Sequence, residues 1–283
     1  MASSLQTPRP EPVALREPAV AKLNLALHVR RRLDNGYHEL ETLFAFCTDG
    51  DWLSATSEPA TEHRFDLTIT GPFAEGLETE GNLVERAWQA LCPVVAPAHI
   101  KAKLEKRLPV ASGLGGGSAD AAAMLRLLTS LWKLDPAHAA DVAPRLGADV
   151  PACLLSMSAR GEGVGEKLKP LSMPEISGAP VLLVNPLVPL STAAVFERWD
   201  GVDLGPLGED WRAARNDLEP PARKLVSAIA DVLDWLAAQP GCALARMSGS
   251  GASCFALFDN DAARDAAGAA CPDKWWHLAT HLR

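Results

Sequence analysis

A chain of 283 residues with 48% hydrophobic and 22% charged side chains has ordinary globular composition and room for one large domain or two smaller ones. A formal net charge of −8 argues against a general nucleic-acid binder, although it leaves space for a local basic site. The longest apolar runs, such as residues 179–184, are far too short to span a bilayer.

Residues 1–18 carry four prolines and no apolar signal-peptide core, so a disordered leader is expected there. From Lys22 to Arg30 the side chains alternate, with Leu23, Leu25, Leu27 and Val29 against Lys22, Asn24, Ala26 and His28. That period of two predicts a half-buried strand, with Lys22 and Asn24 on one face about 7 Å apart. Asp34-Asn35-Gly36 predicts a tight turn, and Tyr37 and His38 follow it directly. Further strands are expected over 52–56, 65–70 and 100–106. Asn82 is placed to cap a helix running through Leu91. The strongest helix signal spans 118–134, where Ala121, Leu125, Leu128 and Trp132 recur at helical spacing. Asp135-Pro136 opens another helix, which Gly147 closes. Asp149 then precedes a short helix that it could cap. The glycine-rich segment 160–166 is read as the boundary between an N-terminal domain, 19–163, and a C-terminal domain, 164–283. The second half offers a strand over 181–185, a helix over 192–199, a longer helix over 222–238, a glycine-rich turn over 247–253, a strand over 254–258, a helix near 262–270 and a last strand around 275–278. There is no internal repeat, and the irregular alternation indicates an α+β fold rather than a doubly wound sheet.

Six cysteines, at 47, 92, 153, 242, 254 and 271, form no C-x-x-C pair and sit mostly in apolar runs. Buried reduced thiols in a cytoplasmic protein are expected, not a disulfide framework or a zinc site; the seven histidines lack metal-ligand spacing as well.

The sequence LPVASGLGGGSADAAAML over 108–125 is the most specific feature. Gly113, Gly115, Gly116 and Gly117 lie between a predicted strand and a predicted helix. Bare backbone N–H groups and a helix N-terminus together form a seat for phosphate. The alternative is a tight turn that merely needs glycine. The two common phosphate signatures fail: no lysine follows the last glycine, and Ser118 occupies the final glycine position of G-x-G-x-x-G.

PVASGLGGGSA over 109–119 resembles the second motif of the GHMP small-molecule kinases. AKLNLALH over 21–28 with GYHELETL over 36–43 resembles their first motif, and SGSGAS over 248–253 their third. The three occur in order and span nearly the whole chain. KLNL followed by GYH, together with GADVP over 147–151 and NDLEP over 216–220, narrows the resemblance to the branch that phosphorylates a 2-hydroxyl on an alcohol bearing a cytidine diphosphate group, in non-mevalonate isoprenoid biosynthesis.

The resemblance implies a two-domain α+β fold, with an N-terminal domain like the second domain of ribosomal protein S5 and a ferredoxin-like C-terminal domain. It implies ATP and Mg²⁺ as cofactors, a small-molecule substrate, no nucleic-acid or membrane partner, and a monomer or homodimer. The ATP loop would comprise Pro109, Val110, Ala111, Ser112, Gly113, Leu114, Gly115, Gly116, Gly117, Ser118 and Ala119. Asp149 would be the general base and Lys22 its partner. Asn24, Tyr37, His38, Thr192, Phe196, Gly249, Ser250 and Gly251 would meet the substrate, with His38 reading the cytosine edge and an aromatic ring stacked on the base.

An ordinary Asp is a weak base at neutral pH, with a pKa of about 3.9, so proton transfer would come late. A nearby ammonium would keep the carboxylate ionised and steady charge on the attacking oxygen. Each assignment has a plainer alternative. Asp149 could only cap a helix, and Lys22 could end a strand in solvent. Phe196 could be a core residue, and 248–253 a strand-entry turn. Ser118 could approach the metal or cap the helix; no all-protein magnesium cage is legible. Ala111-Ser112 stands where many relatives carry glycine, which stiffens that part of the loop. Two rival functions are a kinase for a homoserine- or mevalonate-like alcohol, disfavoured by Gly36-Tyr37-His38, and a non-catalytic nucleotide-binding module, disfavoured by keeping both Lys22 and Asp149.

Overall fold

Strand β1 (Leu15–Arg32) pairs antiparallel with β2 (His38–Pro59) across the tight turn at Gly36, whose φ is +84°. These coordinates come from a computed structural model describing residues 14–283. The expected leader lies outside the described residues as far as position 13. Its last four residues, from Leu15, instead belong to β1, opposite residues 52–55 of β2. Pro18 is tolerated because β1 has β2 as its one strand partner in the sheet, so the missing N–H breaks no ladder on its other side.

The first sheet is completed by β3 (Arg64–Thr70), β4 (Ala98–Glu105), β5 (Ala159–Gly163) and β6 (Lys167–Pro170), in the order β3-β4-β2-β5-β6 with β1 on β2. Only β3 and β4 run parallel. Four helices join its core: α1 (Leu83–Leu91), α2 (Gly116–Leu131), α3 (Pro136–Leu146) and α4 (Val150–Leu155). Local chemistry starts α1 and α3 as expected. Asn82 Oδ1 accepts the Val84 N–H at 2.9 Å, and Asp135 Oδ1 accepts the Ala137 N–H at 2.9 Å.

The second sheet holds β7 (Pro180–Asn185), β8 (Cys242–Met247), β9 (Cys254–Phe258) and β10 (Trp276–His281), all antiparallel in the order β10-β7-β9-β8. Fourth-first-third-second is the ferredoxin-like arrangement. Between β7 and β8 come α5 (Thr192–Glu197), α6 (Glu219–Leu225) and α7 (Ala228–Ala237), and α8 (Asp261–Ala269) precedes β10. A third apolar cluster joins the halves, with Leu23 and Leu25 of β1 meeting Leu183 and Phe255 of the second sheet.

Two expectations change. The strand over 22–30 is not half-buried: Ala19 to Val29 are buried on both faces, since the polar face turns inward on the interdomain region rather than to solvent. The segment 160–166 lies in the β5–β6 hairpin, and the change from the first sheet to the second falls between Pro170 and Pro180. The helix expected over 222–238 is two helices, because Val226 adopts an extended backbone (φ −135°, ψ 95°) while its side chain joins the core.

Candidate active site

A cleft of about 1020 Å³ opens between the two halves. Its floor is β1. The pairing register slips between Val20 and Lys22 and again between Asn24 and Ala26. Such irregularities re-aim side chains. Here they flank the two polar residues that enter the cleft. The Lys22 ammonium is 4% exposed, donates to Asn24 Oδ1 at 2.8 Å and sits 3.1 Å from Asp149 Oδ2. Lys22 is therefore no solvated strand end. Asp149 occupies the N-cap position of α4, but its backbone is helical (φ −84°, ψ −13°) and its side chain caps nothing. Freed from capping, the carboxylate remains 39% exposed and faces the lysine.

The glycine loop forms one wall. Gly115 is the N-cap of α2 in the left-handed region (φ 67°), and no side chain caps that helix. The first bond of its ladder runs from Ala119 N–H to Gly115 O at 2.8 Å. The N–H groups of Gly116, Gly117 and Ser118 therefore have no helical acceptor, and all three residues line the cleft. Ser118 does not cap. The loop is supported from behind: a Cβ on Gly113 (φ 78°) would lie 2.4 Å from Ser248 O. Lys22 N–H donates to Leu114 O at 2.9 Å, tying strand to loop. Ala111, Ser112 and Gly113 also face the cleft, and Ala111 holds φ 49° without being glycine. Ser112 Oγ is buried without a partner. Of the expected loop residues, Pro109, Val110, Leu114 and Ala119 do not line the cleft; Leu114 and Ala119 are core, and Val110 points to solvent. Buried Leu114 and Ala119 anchor the loop from the core side instead.

Beneath Gly116 lies a buried cluster that sequence reading missed. Lys106 Nζ bonds the carboxylates of Asp51 and Asp120, the latter at 2.8 Å. Asp51 also accepts the Leu108 N–H at 2.8 Å, whereas Asp120 Oδ1 has no partner. Burial pushes Asp120 up to about 7. A Cβ on Gly116 would stand 3.4 Å from Lys106 Nζ and 3.5 Å from Asp51 Oδ2, so the cluster underlies the helix N-terminus directly.

At the other end, Tyr37 stands 60% exposed on the rim and His38 is buried. The His38 ring stacks on Phe196 at 4.8 Å and meets Trp199 edge-on at 5.6 Å. Burial, and then Arg32, depress the His38 pKa below the usual imidazole value, which favours the neutral ring at pH 7. Phe196 lines the cleft and also packs on the second core. Thr192 and Ser250 share a hydrogen bond of 2.8 Å between their hydroxyls. Gly249 and Ser250 line the cleft, but Gly251 packs against Met247 and Leu190 instead. Asn216 holds this turn by donating to Gly249 O at 2.7 Å and Met247 O at 2.8 Å.

Arg32, Leu40, Thr42, Phe44 and Leu83 line the cleft without having been singled out. Thr42 lay inside a quoted motif; nothing in the sequence marks Leu83. Among the described residues no cluster of three His, Cys, Asp or Glu side chains could hold a metal, all six cysteines are free, and no helix is long and apolar enough to cross a membrane.

Comparison with known proteins finds relatives over most of the chain. The GHMP kinases N terminal domain family matches residues 82–157, and the GHMP kinases C terminal family matches 203–276. A 4-diphosphocytidyl-2-C-methyl-D-erythritol kinase of Rhizorhabdus wittichii is 50% identical, covering 94% of each chain. One of Novosphingobium aromaticivorans is 51% identical over 96% of this chain and 94% of its own. A crystal structure of a 4-(cytidine 5'-diphospho)-2C-methyl-D-erythritol kinase superposes with a TM-score of 0.82 at 33% identity, covering 95% of this chain and 99% of that one. Homoserine kinase from Cytophaga hutchinsonii shares the fold, with a TM-score of 0.69 at 16% identity over 99% and 98% of the two chains.

Proposed function

This chain belongs to the GHMP kinases, and within them to the 4-diphosphocytidyl-2-C-methyl-D-erythritol kinases; on that premise we propose how its cleft phosphorylates the 2-hydroxyl of that alcohol. The observation that carries the reading is the pairing of Lys22 with Asp149 in the cleft beside an uncapped helix N-terminus, where a Cβ on Gly115 would lie 3.1 Å from Lys22 Cε.

Phosphoryl transfer asks mainly for positioning and charge stabilisation. The N–H groups of Gly116, Gly117 and Ser118 and the positive end of α2 hold the triphosphate of ATP. Asp149 accepts the hydroxyl proton. Lys22 pairs with the Asp149 carboxylate and donates to the oxygen on which charge grows. The hydroxyl of Ser118, which caps nothing at the head of α2, would suit a magnesium ion that arrives on ATP, because Mg²⁺ commonly takes one or two protein oxygens beside phosphates and water. When bound, that ion neutralises phosphate charge.

The cytidine end of the substrate lies against Tyr37, His38 and Phe196. A neutral His38 reads a base edge by hydrogen bonding, and stacking on an aromatic ring contributes about 1–3 kcal/mol. Asn24, Thr192, Gly249 and Ser250 line the path between base and alcohol. We place the protein in the cytoplasm, where six free thiols stay reduced, acting as a monomer or homodimer.

The test is phosphate transfer from labelled ATP to the cytidine-bearing alcohol, to homoserine and to mevalonate. Preference for the first by at least about 100-fold in kcat/KM is expected, because a site built to pair with a base rejects ligands lacking it. Preference for homoserine or mevalonate would overturn the cytidine reading.

A further inference from the structure

The Lys22 ammonium is aimed by a chain of hydrogen bonds that begins at Thr42 on β2. Thr42 Oγ1 lies 2.7 Å from Ala26 O and 2.7 Å from Asn24 Nδ2. A hydroxyl has one proton to give. The Ala26 carbonyl can only accept, so that proton goes there, and Thr42 Oγ1 must accept from the Asn24 amide. Asn24 therefore turns Nδ2 toward Thr42 and Oδ1 toward Lys22, whose Nζ donates at 2.8 Å. The flipped amide would set its oxygen against the Thr42 lone pairs and two donors against each other.

The start of the chain is itself fixed. Thr42 is 1% exposed, and its β-branched side chain has few rotamers. Gly161 stands opposite it in the β2–β5 ladder. A Cβ there would come within 3.0 Å of the Thr42 methyl and 2.7 Å of the Phe44 ring, so the absent side chain makes room for this one threonine rotamer. Of the three ammonium protons on Lys22, one goes to Asn24 and one faces Asp149 at 3.1 Å, leaving one for an incoming oxygen.

We propose that Thr42 is a positioning residue for phosphoryl transfer, orienting the Asn24 amide so that its oxygen holds the Lys22 ammonium in the transferring geometry. This rests on the role given to Lys22 above.

The test is steady-state kinetics on Thr42→Val, Thr42→Ser, Asn24→Ala and Thr42→Val/Asn24→Ala, with Lys22→Ala alongside. Thr42→Val keeps the shape and loses the hydroxyl. It should lower kcat about 10- to 100-fold, the scale of a 1 Å misplacement, with both KM values within about three-fold of the wild type. Thr42→Ser should keep kcat within about three-fold of wild type. In the Asn24→Ala background, Thr42→Val should change kcat by less than about two-fold, because the link it acts through is gone. Thr42→Ala enters the same cycle should the valine variant not fold. Equal losses from Thr42→Val with and without Asn24, or a kcat within two-fold of wild type while Lys22→Ala is inactive, would overturn the positioning role and spare the reading of Lys22. A Lys22→Ala variant as active as wild type would overturn both.

Discussion

Replacing Lys106 with methionine should destabilise the protein strongly, and more so as pH rises. The ammonium lies between two carboxylates, Asp51 at 0% and Asp120 at 5% side-chain exposure. Asp51 retains the Arg107 and Leu108 N–H groups, but Asp120 Oδ2 is held by Lys106 and its Oδ1 has no partner. Breaking a buried ion pair from one side costs about 3–5 kcal/mol. The pH dependence follows from Asp120. Burial raises its folded pKa from 3.8 to about 7, so the native state binds the proton more tightly than the unfolded chain does. Its contribution is fully present below the unfolded value and is lost as pH rises through the folded one. Without Lys106, the main group opposing that rise, the loss extends to higher pH. Urea unfolding of Lys106→Met should show a deficit of about 3–5 kcal/mol near pH 8.5 and a smaller one near pH 5.5. Lys106→Met/Asp120→Asn should recover part of it, since an asparagine amide can donate to Asp51. A deficit below about 1 kcal/mol, equal at both pH values, would refute the reasoning. The cluster underlies Gly116, so the same variant should also raise the KM for ATP.

Gly113→Ala places a Cβ 2.4 Å from Ser248 O at φ 78°, so stability should fall by about 2–4 kcal/mol and the KM for ATP should rise in nucleotide titrations. Asp149→Asn should lower kcat about 10²- to 10⁴-fold while an ATP-induced thermal shift at millimolar nucleotide persists. Burial raises Cys153 to about 12 and Cys92 and Cys271 to about 11, so a thiol reagent at neutral pH should label the native protein slowly and all six cysteines only after unfolding.

Features written in neighbouring residues were legible in the sequence. Asn82 and Asp135 begin their helices as expected, and β9 has the bounds read for it. Features created by burial or distance were not. β2 runs for 22 residues, but much of it is covered on both faces, which erases the alternation that marks a strand. Cys242–Met247 mixes alanine and arginine and gives no strand pattern at all. The break at Val226 comes from its place in the core rather than from a glycine or proline. Lys106 is 55 residues from Asp51, and no spacing rule joins them. Lys22 and Asp149 were paired only through resemblance to a family; taken singly, each had an ordinary structural reading that the fold then removed. The Thr42 chain needed coordinates, because it depends on which atom gives the proton.

The most direct measurement is a crystal structure with a non-hydrolysable ATP analogue and the cytidine-bearing alcohol bound together. The terminal phosphate should lie over the N–H groups of Gly116 to Ser118, with its phosphorus about 3–3.5 Å from the 2-hydroxyl oxygen and that oxygen within hydrogen-bond reach of Asp149 and Lys22. A triphosphate bound away from the loop, or an alcohol whose hydroxyl faces neither side chain, would contradict the account.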